Sequence, residues 1–530
     1  MKKSIVVLFI VLFFASSTSA GLHSIVTQED NTIYVDDDNI SGPWDGTLEH
    51  PYNSVQDGID NASAGDTVFV FNGRYIEQIE IYKSVNLVGE SNEDTMIDGD
   101  EKGDVVCITV DSVNISGFTI TNSGNHWTNA CIRLNSNNSV IFENVVSNNN
   151  ETAIELRGSS NNTILNNSIA LNSHTGISLY DTSNDNEILG NNITHNGGNG
   201  IFLSDSKGTY IVDNKVDSNG DSGINAVARV NTYILRNRIA NNGDYGIYVP
   251  PDDCVITDNQ LINDGLFVRI DPWFYDGYGG NQVKNNTVNG KSLVYLHKES
   301  DKNVGDDAGQ LIMIDCQNIT ISSKKITDSD IGIQLRYSGN CSIKNNSIQS
   351  CSRTSIYVDN SNNNTIQSNL ICDSDVGINC ICSNDNAFLK NDIRDNRDGL
   401  ELLQSHRNEI KYNRFNGNNI GFFIESFMYE PNCIGNVMTY NNITHNRIGV
   451  SIDYGLSNSI NYNNFHKNLI DLTFWAPKHN DFNYNYWGRS KLLPKVLFGT
   501  TGNAYFQIPW IAFDFHPAAE PYDIDVGEMR

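Results

Sequence analysis

The sequence is short of positive charge and of long apolar segments. Lysine and arginine together number 35 against 63 aspartate and glutamate residues, and the formal net charge is −28. A phosphate backbone would be repelled over most of such a surface, so we expect no nucleic-acid partner. Beyond the N-terminus, no stretch approaches the roughly 20 consecutive apolar residues of a membrane-spanning helix, so we expect no membrane span.

Soft metal ligands are also scarce. Methionine occurs 6 times, and neither a His-x-His tract nor a methionine-rich tract is present. His195 and His445 fall at equivalent repeat positions but far apart along the chain. Because a copper site needs several soft or imidazole ligands at one place, the sequence gives little support for copper.

The N-terminus has the three-part layout of a secretory signal peptide. Lys2 and Lys3 precede an apolar run over residues 5–14, and small residues end at Ala20. This pattern predicts a signal peptide over residues 1–20 and a secreted, extracellular or cell-surface protein. The ten cysteines could then form disulfides, although a chain of 530 residues does not need them to build a core.

A short motif recurs along most of the chain: an aliphatic residue, an asparagine three positions later, and an apolar residue two positions after that. Ile164, Asn167 and Ile169 give one example. The asparagines recur mostly every 22 to 24 residues, at positions 144, 167, 191, 214, 237, 259, 286, 346, 369, 391, 413, 441, 463 and 485, and Lys324 stands at the equivalent place between Ile321 and Ile326. Such a period is typical of a solenoid of stacked coils.

A second marker follows most of these asparagines by eight or nine residues. It is a glycine followed by alternating apolar positions, as in Gly176-Ile-Ser-Leu and Gly399-Leu-Glu-Leu. Strict alternation indicates a strand with one buried face. The chain therefore predicts an all-β fold, a right-handed parallel β-helix with coils of about 22 residues, in which the residues one and three after each glycine point inward and the residue two after it faces solvent.

The repeated asparagines are interpreted as scaffold and not as catalytic residues. Their short amides tolerate unusual turn dihedrals and can bond to the same residue one coil away. Cys351 and Cys372 lie at nearly matching positions on neighbouring coils, so a disulfide between them is geometrically conceivable, with two stacked core thiols as the alternative.

The ends of a solenoid need caps. Residues 21–100 are expected to hold an N-terminal cap and the first coils, with a short helix from Ser54 to Ala62 that buries Val55 and Ile59. Residues 101–488 are expected to form the repeats. Residues 489–530 are expected to fold over the last coil as an aromatic cap through Trp510, Phe513 and Pro517.

Three repeats are longer than the others, which predicts insertions near residues 266–280, 290–315 and 425–436. The first contains Trp273 and Tyr275. Insertions in solenoids commonly build the binding face.

The outward column two residues after each glycine contains several aromatic residues. Phe202, Tyr248, Phe267 and Tyr357 stand where water is expected, and Arg269 and Arg336, both four residues after a glycine, are expected to lie beside this row. Exposed rings can stack on sugars while arginines bind carboxylates of an acidic glycan, so we predict a carbohydrate-binding row; burial of the rings by the residue 269–280 loop is an equal alternative.

The same face carries three carboxylates. Glu401, Glu425 and Asp453 lie on successive coils and are expected to face outward together. Glu401 and Glu425 would be roughly 8 Å apart at the backbone, from a strand spacing of ~4.8 Å and a two-residue advance of ~6.7 Å, which suits an inverting glycosidase. A solvated acidic surface is the alternative for a chain this negative.

Several segments make the chain resemble the NosD-like family of right-handed β-helices. They include Ile33-Tyr-Val-Asp-Asp, Gly46-Thr-Leu-Glu-His-Pro-Tyr52, Gly65-Asp-Thr-Val68, Leu87-Val-Gly-Glu90 and Asn485-Tyr-Trp-Gly488. The resemblance extends to the carbohydrate-binding and sugar-hydrolase β-helices, pectate-lyase-like in fold, and especially to archaeal surface members.

The family implies several functions. NosD itself is associated with periplasmic copper delivery, whereas relatives bind, cleave or epimerise polysaccharides. The leading hypothesis is a secreted β-helix that binds a polysaccharide or cell-surface glycan or serves in the cell envelope. The alternatives are a polysaccharide lyase, glycoside hydrolase or epimerase, for which Ca²⁺ is a conceivable cofactor, then a copper-accessory protein, and a purely structural envelope protein. The oligomeric state stays open.

Overall fold

The computed structural model describes residues 31–227, 231–251, 253–269, 280–305, 307–426, 433–475, 479–490, 493–503 and 506–526. The predicted signal peptide, Trp273 and Tyr275 lie outside these residues. Within them, no helix is both long and apolar enough to cross a membrane.

The predicted parallel β-helix is confirmed. Each coil contributes up to three short strands, and each strand pairs in parallel and in register with its equivalent on the next coil, as Ile164 pairs with Ile188 and Ile188 with Ile211. This stacking places one aliphatic residue above another along the axis, and the column of side chains forms the core.

The coils are not one continuous stack but two β-helices. The first has three sheets, named A1, B1 and C1. Sheet A1 contains Thr32–Val35, Thr67–Val70, Asn86–Gly89, Asn114–Ser116, Val140–Phe142, Thr163–Leu165, Glu187–Leu189, Tyr210–Val212, Tyr233–Leu235, Val255–Thr257 and Gln282–Lys284. Sheet B1 contains Gly73–Ile76, Thr95–Asp98, Thr119–Thr121, Val145–Ser147, Ser168–Ala170, Asn192–Thr194, Lys215–Asp217, Arg238–Ala240, Gln260–Ile262 and Thr287–Val288. Sheet C1 contains Ile79–Ile81, Val106–Ile108, Ala130–Leu134, Thr152–Arg157, Ile177–Tyr180, Ile201–Ser204, Ile224–Val227, Ile247–Val249 and Leu266–Val268.

The second β-helix has sheets A2, B2 and C2. Sheet A2 contains Asn303–Val304, Thr320–Ser322, Ser342–Lys344, Thr365–Gln367, Ala387–Leu389, Glu409–Lys411, Val437–Thr439 and Ser459–Asn461. Sheet B2 contains Lys325–Thr327, Ser347–Gln349, Leu370–Cys372, Asp392–Arg394, Arg414–Asn416, Asn442–Thr444, Asn464–His466 and Tyr486–Trp487. Sheet C2 contains Lys291–His297, Ala308–Ile314, Ile331–Arg336, Thr354–Asp359, Val376–Ile381, Asp398–Leu403, Ile420–Glu425, Ile448–Asp453 and Ile470–Trp475, followed by Lys495–Asn503 and Phe506–Asp514.

A tight hairpin separates the two β-helices. Strand Thr287–Val288 pairs antiparallel with the start of Lys291–His297, and the two residues between them, Asn289 and Gly290, have φ values of 51° and 76°. Positive φ at both positions is typical of the type I′ turn that Asn-Gly favours. The predicted insertion at 290–315 therefore contains two strands of sheet C2, Lys291–His297 and Ala308–Ile314, instead of only a loop.

The outer face of sheet C2 closes the end of the first core. Leu293, Ile312 and Ile314 belong to the hydrophobic cluster of the first β-helix, whereas Leu311 and Met313, which alternate with them, belong to the cluster of the second. One strand thus buries both of its faces. The second β-helix serves as the C-terminal cap of the first.

Side chains from sheet C2 satisfy the open edge of sheet C1. The amide of Gln310 accepts a hydrogen bond from the Leu266 N–H at 2.9 Å and donates to the Leu266 carbonyl at 2.8 Å. Gln334 donates to the Val268 carbonyl at 3.0 Å. Asp330 accepts from the backbone N–H groups of Gly246 and Gly265 at 2.8 and 2.6 Å. These side chains replace the next strand that sheet C1 lacks.

The asparagine ladder has the predicted scaffold role. Asn369, for example, accepts from the Asn346 N–H at 3.0 Å and donates to the Ile343 carbonyl at 2.9 Å and to Asn391 Oδ1 at 3.0 Å. The predicted reason was partly wrong, because the left-handed dihedral falls on the residue before the ladder asparagine, such as Tyr412 with φ of 61°.

The N-terminal cap is the predicted helix. It runs over Val55–Asn61, the Ser54 side chain accepts from the Asp57 N–H, and Val55 and Ile59 are fully buried.

At the other end, a hairpin continues sheet C2 and Asp514 ties it to the last coil. The Asp514 carboxylate accepts from the Asn485 N–H at 2.9 Å and from Trp487 Nε1 at 2.8 Å. Trp510, predicted to cover the last coil, is 53% exposed. The hydrogen bonds of Asp514 therefore hold the C-terminal hairpin on the last coil, a role that was expected of aromatic packing alone.

The predicted inward columns are confirmed from Ile177 to Ile452, because the residues one and three after each glycine are buried. The outward column is more covered than predicted. Ser178 and Gln334 are fully buried, and Phe267 is 7% exposed. Val294, predicted for this column, pairs with Leu311 of the second core instead. The expected disulfide is also wrong, since Cys351 and Cys372 are both free thiols in the interior.

Candidate functional site

The outer faces of sheets C1 and C2 meet at the junction of the two β-helices. The rings of Phe267 and Tyr357, one from each sheet, contact edge to face with centroids 5.6 Å apart. Tyr245 and Tyr248 extend the aromatic surface on the first β-helix, with Phe267 stacked on Tyr245 at 4.8 Å. We call this group of four rings the corner. Of the four aromatic residues predicted for the outward row, the structure thus brings together Tyr248, Phe267 and Tyr357.

Phe202 lies apart from the corner. Asn225 stands between it and Tyr248 in the outward column, and its ring contacts Tyr180 at 5.3 Å. The predicted aromatic row is therefore two separate groups.

The predicted arginines have different environments. Arg336 is 4% exposed, pairs with Asp359, donates to the Val268 carbonyl at 2.8 Å and lies over the Phe267 and Tyr357 rings. It packs the corner together and does not present a charge to solvent. Arg269 is exposed at the rim, where its backbone N–H donates to the Val249 carbonyl.

Glu401 lies two coils beyond Tyr357 on the same outward column, with Asn379 between them. Glu401 is 9% exposed. Burial, and then the neighbouring Asp398 carboxylate, raise the pKa of Glu401 to about 8. Glu401 is therefore protonated at neutral pH.

Arg397 holds the carboxyl of Asp398, the neighbour of Glu401, in place. Its Nη1 lies 2.6 Å from Asp398 Oδ2, its Nε lies 2.5 Å from Asp375, and its Nη2 is 4.0 Å from Glu401. Burial raises the pKa of Asp398, and the adjacent Arg397 opposes that shift. The carboxyls of Glu401 and Asp398 thus stand side by side, with the Arg397 guanidinium against Asp398.

Glu425 and Asp453 continue the face on the next two coils. They are register partners on neighbouring strands, and Glu425 pairs with Leu403, two residues beyond Glu401. Burial and the nearby Glu425 raise the pKa of Asp453 to about 6. All three predicted carboxylates therefore lie on one face. Phe423 is the register partner of Glu401 on the next coil.

Asn379 Oδ1 and Trp475 Nε1 on this face are buried and have no hydrogen-bond partner among the described residues. Buried polar atoms are normally satisfied, and unsatisfied ones mark places where a proton, a water molecule or a ligand completes the bonding. Their position beside the carboxyls makes this the candidate site.

The sequence missed Asp398, Arg397, Asn379 and Tyr245. A signal for Asp398 was present, because the equivalent position before the glycine is Val376, Ile420 and Ile448 on neighbouring coils. A carboxyl in an otherwise apolar column indicates a specific role.

Within the described ranges, no group of three or more histidine, cysteine, aspartate or glutamate side chains is arranged to hold a metal ion. Because a copper site needs several soft or imidazole ligands at one place, these described residues do not fit a copper centre.

Two family models match the chain. The model described as right handed beta helix region matches residues 97–249 and 172–326, and the model described as periplasmic copper-binding protein (NosD) matches residues 280–430. The chain is a NosD-like right-handed β-helix. The second match begins next to the hairpin that starts the second β-helix and includes Glu401. No curated protein matches this NosD-like chain.

Three solved structures are similar to parts of the chain at low identity and low TM-score. An alginate lyase from Paenibacillus is 14% identical with a TM-score of 0.33, over 60% of this chain and 94% of its own. The enzyme DFA-IIIase from Arthrobacter chlorophenolicus is 12% identical with a TM-score of 0.38, over 63% and 94%. The pectate lyase Pel9A is 13% identical with a TM-score of 0.31, over 63% and 78%.

Proposed function

We propose that this protein binds a polysaccharide that starts at the corner and runs along the outer face of sheet C2 toward Asp453. The observation that carries the proposal is the union of aromatic rings with unsatisfied polar atoms on one rigid face. Sugars present flat C–H faces to rings and hydroxyls to carboxyl and amide groups. Coils advance by ~4.8 Å, so the side chains form a regular track along the axis.

The proposed place of action is outside the cytoplasm. The pattern of residues 1–20 and the match to a family described as periplasmic support it. A secreted glycan-binding protein or a component of the cell envelope fits both observations.

Binding is tested with purified protein and a panel of neutral and acidic polysaccharides. Phe423→Ala removes a half-buried ring beside Glu401, and we expect about tenfold weaker binding, equivalent to about 1.4 kcal/mol. Tyr210→Ala is the matched control, because Tyr210 is a 40% exposed aromatic residue on sheet A1. Equal affinity of both variants and wild type for every glycan would contradict the proposal.

Glycoside hydrolysis is the second candidate, favoured by the protonated Glu401. Glu401 would donate its proton to the glycosidic oxygen as the bond from that oxygen to the anomeric carbon breaks. Glu425 would take a proton from the water that forms the new bond to that carbon. From a strand spacing of ~4.8 Å and a two-residue advance of ~6.7 Å, their backbones would be roughly 8 Å apart, and carboxyl groups at that separation would fall within the range for inversion.

Hydrolysis is tested by new reducing ends on any glycan that binds. Glu401→Gln should lower activity by at least about a hundredfold, as expected for loss of a general acid. It should leave binding within a few-fold of wild type, because the amide keeps the shape of the acid. Unchanged cleavage in Glu401→Gln would exclude Glu401 as the acid.

A further inference from the structure

We propose a second ligand site on the outer face of sheet C1, where Arg157 binds the carboxylate of an acidic sugar. The site contains Arg157, Glu155, Arg133 and Tyr180, with Phe202 and Trp127 at its borders. Arg157 lies four coils from Tyr248, the member of the corner on the nearest strand, or ~19 Å at ~4.8 Å per strand. A single sugar bound to Arg157 therefore cannot touch Tyr248.

A chain of alternating charges orients Arg157. Asp104 binds Arg133 through two contacts, with 2.6 Å to Nε and 3.1 Å to Nη2. Arg133 in turn pairs with Glu155, and Glu155 pairs with Nε of Arg157. The side chains of Arg133 and Glu155 are 11% and 5% exposed. Removing these charges from water costs free energy, which their mutual pairing offsets. Because Glu155 is fixed in this way, it holds Arg157 in one orientation.

Arg157 is the open end of this chain. Its side chain is 40% exposed, its guanidinium lies 5.8 Å from the centre of the Tyr180 ring, and its two terminal nitrogens have no partner among the described residues. With Nε fixed by Glu155, these nitrogens present a planar fork to solvent. A carboxylate fits such a fork through two parallel hydrogen bonds.

Aromatic rings border the fork. Tyr180 and Phe202 contact each other at 5.3 Å on successive coils. Arg133 also donates to the Thr128 carbonyl, next in the chain to Trp127, which is 76% exposed. A carboxylate on Arg157, with its sugar ring against the Tyr180 ring, is the arrangement that a uronic acid would adopt. The sugar class of this ligand rests on the proposed function, whereas the anion site does not.

The site is tested by titrating the full mature protein with trigalacturonate, with neutral galactotriose and a sulfated trisaccharide as separate arms. Arg157→Gln should weaken trigalacturonate binding at least tenfold, and Arg157→Lys should weaken it less. Arg236→Gln is the matched control, because Arg236 is an exposed, aspartate-paired arginine on sheet A1. Trigalacturonate affinity in Arg157→Gln equal to wild type, or an equal loss in Arg236→Gln, would overturn the proposal.

Other outcomes separate the two sites. If Arg157→Gln does not fold by circular dichroism, Tyr180→Ala replaces it, with the same loss expected. Preference for the sulfated arm would show that the fork takes sulfate esters and would overturn the uronate assignment. Binding of trigalacturonate that depends on Arg157 but not on Phe423, with no polysaccharide bound at the corner, would support this site while the proposed function fails.

Discussion

The ladder asparagines satisfy three coils at once. Each amide oxygen accepts a backbone N–H from the preceding coil, while each amide nitrogen donates to the next asparagine and to a carbonyl further back, as Asn391 does with Asn413 and Ile366. A serine at an equivalent ladder position, such as Ser374, also accepts a backbone N–H from the preceding coil. The repetition of the asparagines therefore reflects hydrogen bonding inside the core and not chemistry at a surface.

Removal of one ladder amide should be costly. Asn369→Ala leaves the buried Asn346 N–H without its side-chain acceptor and removes the amide bonds to the Ile343 carbonyl and to Asn391 Oδ1 in a fully buried place. Because each unsatisfied buried group costs about 1–3 kcal/mol, we expect a loss of about 3 kcal/mol in the free energy of unfolding, measured by urea denaturation. Asn303→Ala, at an exposed position, is the control and should change it by less than about 0.5 kcal/mol. A loss below that control limit in Asn369→Ala would contradict the ladder's role.

Single strands and turns could be predicted from the sequence because their signals are local. Alternation around Gly176 and Gly399 identifies which residues of a strand face inward, and the Ser54 cap identifies the first helix. The same local signals identified Glu401, Glu425 and Asp453 as one face, since register follows from the repeat.

The junction could not be predicted, because it depends on partners distant in sequence. Leu266 bonds to Gln310, and Gly246 bonds to Asp330, 84 residues away. Residues 290–315 also lack the asparagine and glycine markers, so two strands resembled an insertion. The corner and the burial of Arg336 follow from this junction and were missed with it.

The edge of sheet C1 gives a test of the junction. Gln310→Leu removes the side-chain bonds to the Leu266 N–H and carbonyl, which then lie buried without partners. We expect faster amide hydrogen exchange in Leu266–Val268, with protection of the distant strand Ile177–Tyr180 unchanged. Gln349→Leu, at a half-buried position on sheet B2, should leave exchange in both strands unchanged. Equal exchange in Gln310→Leu and wild type would show that the edge is satisfied in another way.

Across the whole molecule, several carboxyls are buried and have raised pKa values. Burial raises the pKa of Asp264 to about 7, of Glu401 to about 8 and of Asp453 to about 6. Burial and the nearby Asp264 also raise the pKa of Asp330, which lies in the junction. These groups are spread over both β-helices and the contact between them, so their protonation affects the protein as a unit.

The sign of the pH dependence follows from these pKa values. In the unfolded chain the same carboxyls titrate near pH 4, so between about pH 4 and pH 8 the folded protein binds more protons than the unfolded chain. The contribution of these carboxyls to the free energy of unfolding is therefore complete below about pH 4, and it is lost as the pH rises toward 8. Exposed carboxylates with lowered pKa, such as Asp385 beside Arg407, act only at lower pH.

We therefore expect the protein to be more stable at pH 5 than at pH 8. One pKa unit corresponds to about 1.4 kcal/mol, so the three groups with pKa values of about 6 to 8 together should lower the free energy of unfolding by at most on the order of 8 kcal/mol over this interval. Urea denaturation at both pH values and equal ionic strength measures the difference. Glu401→Gln and Asp264→Asn should each reduce it, because an amide does not titrate, whereas Asp213→Asn, at an exposed position paired with Arg236, should leave it unchanged. A protein equally stable at both pH values, or more stable at pH 8, would contradict raised pKa values for these carboxyls, and Glu401 could then not serve as the general acid proposed on sheet C2.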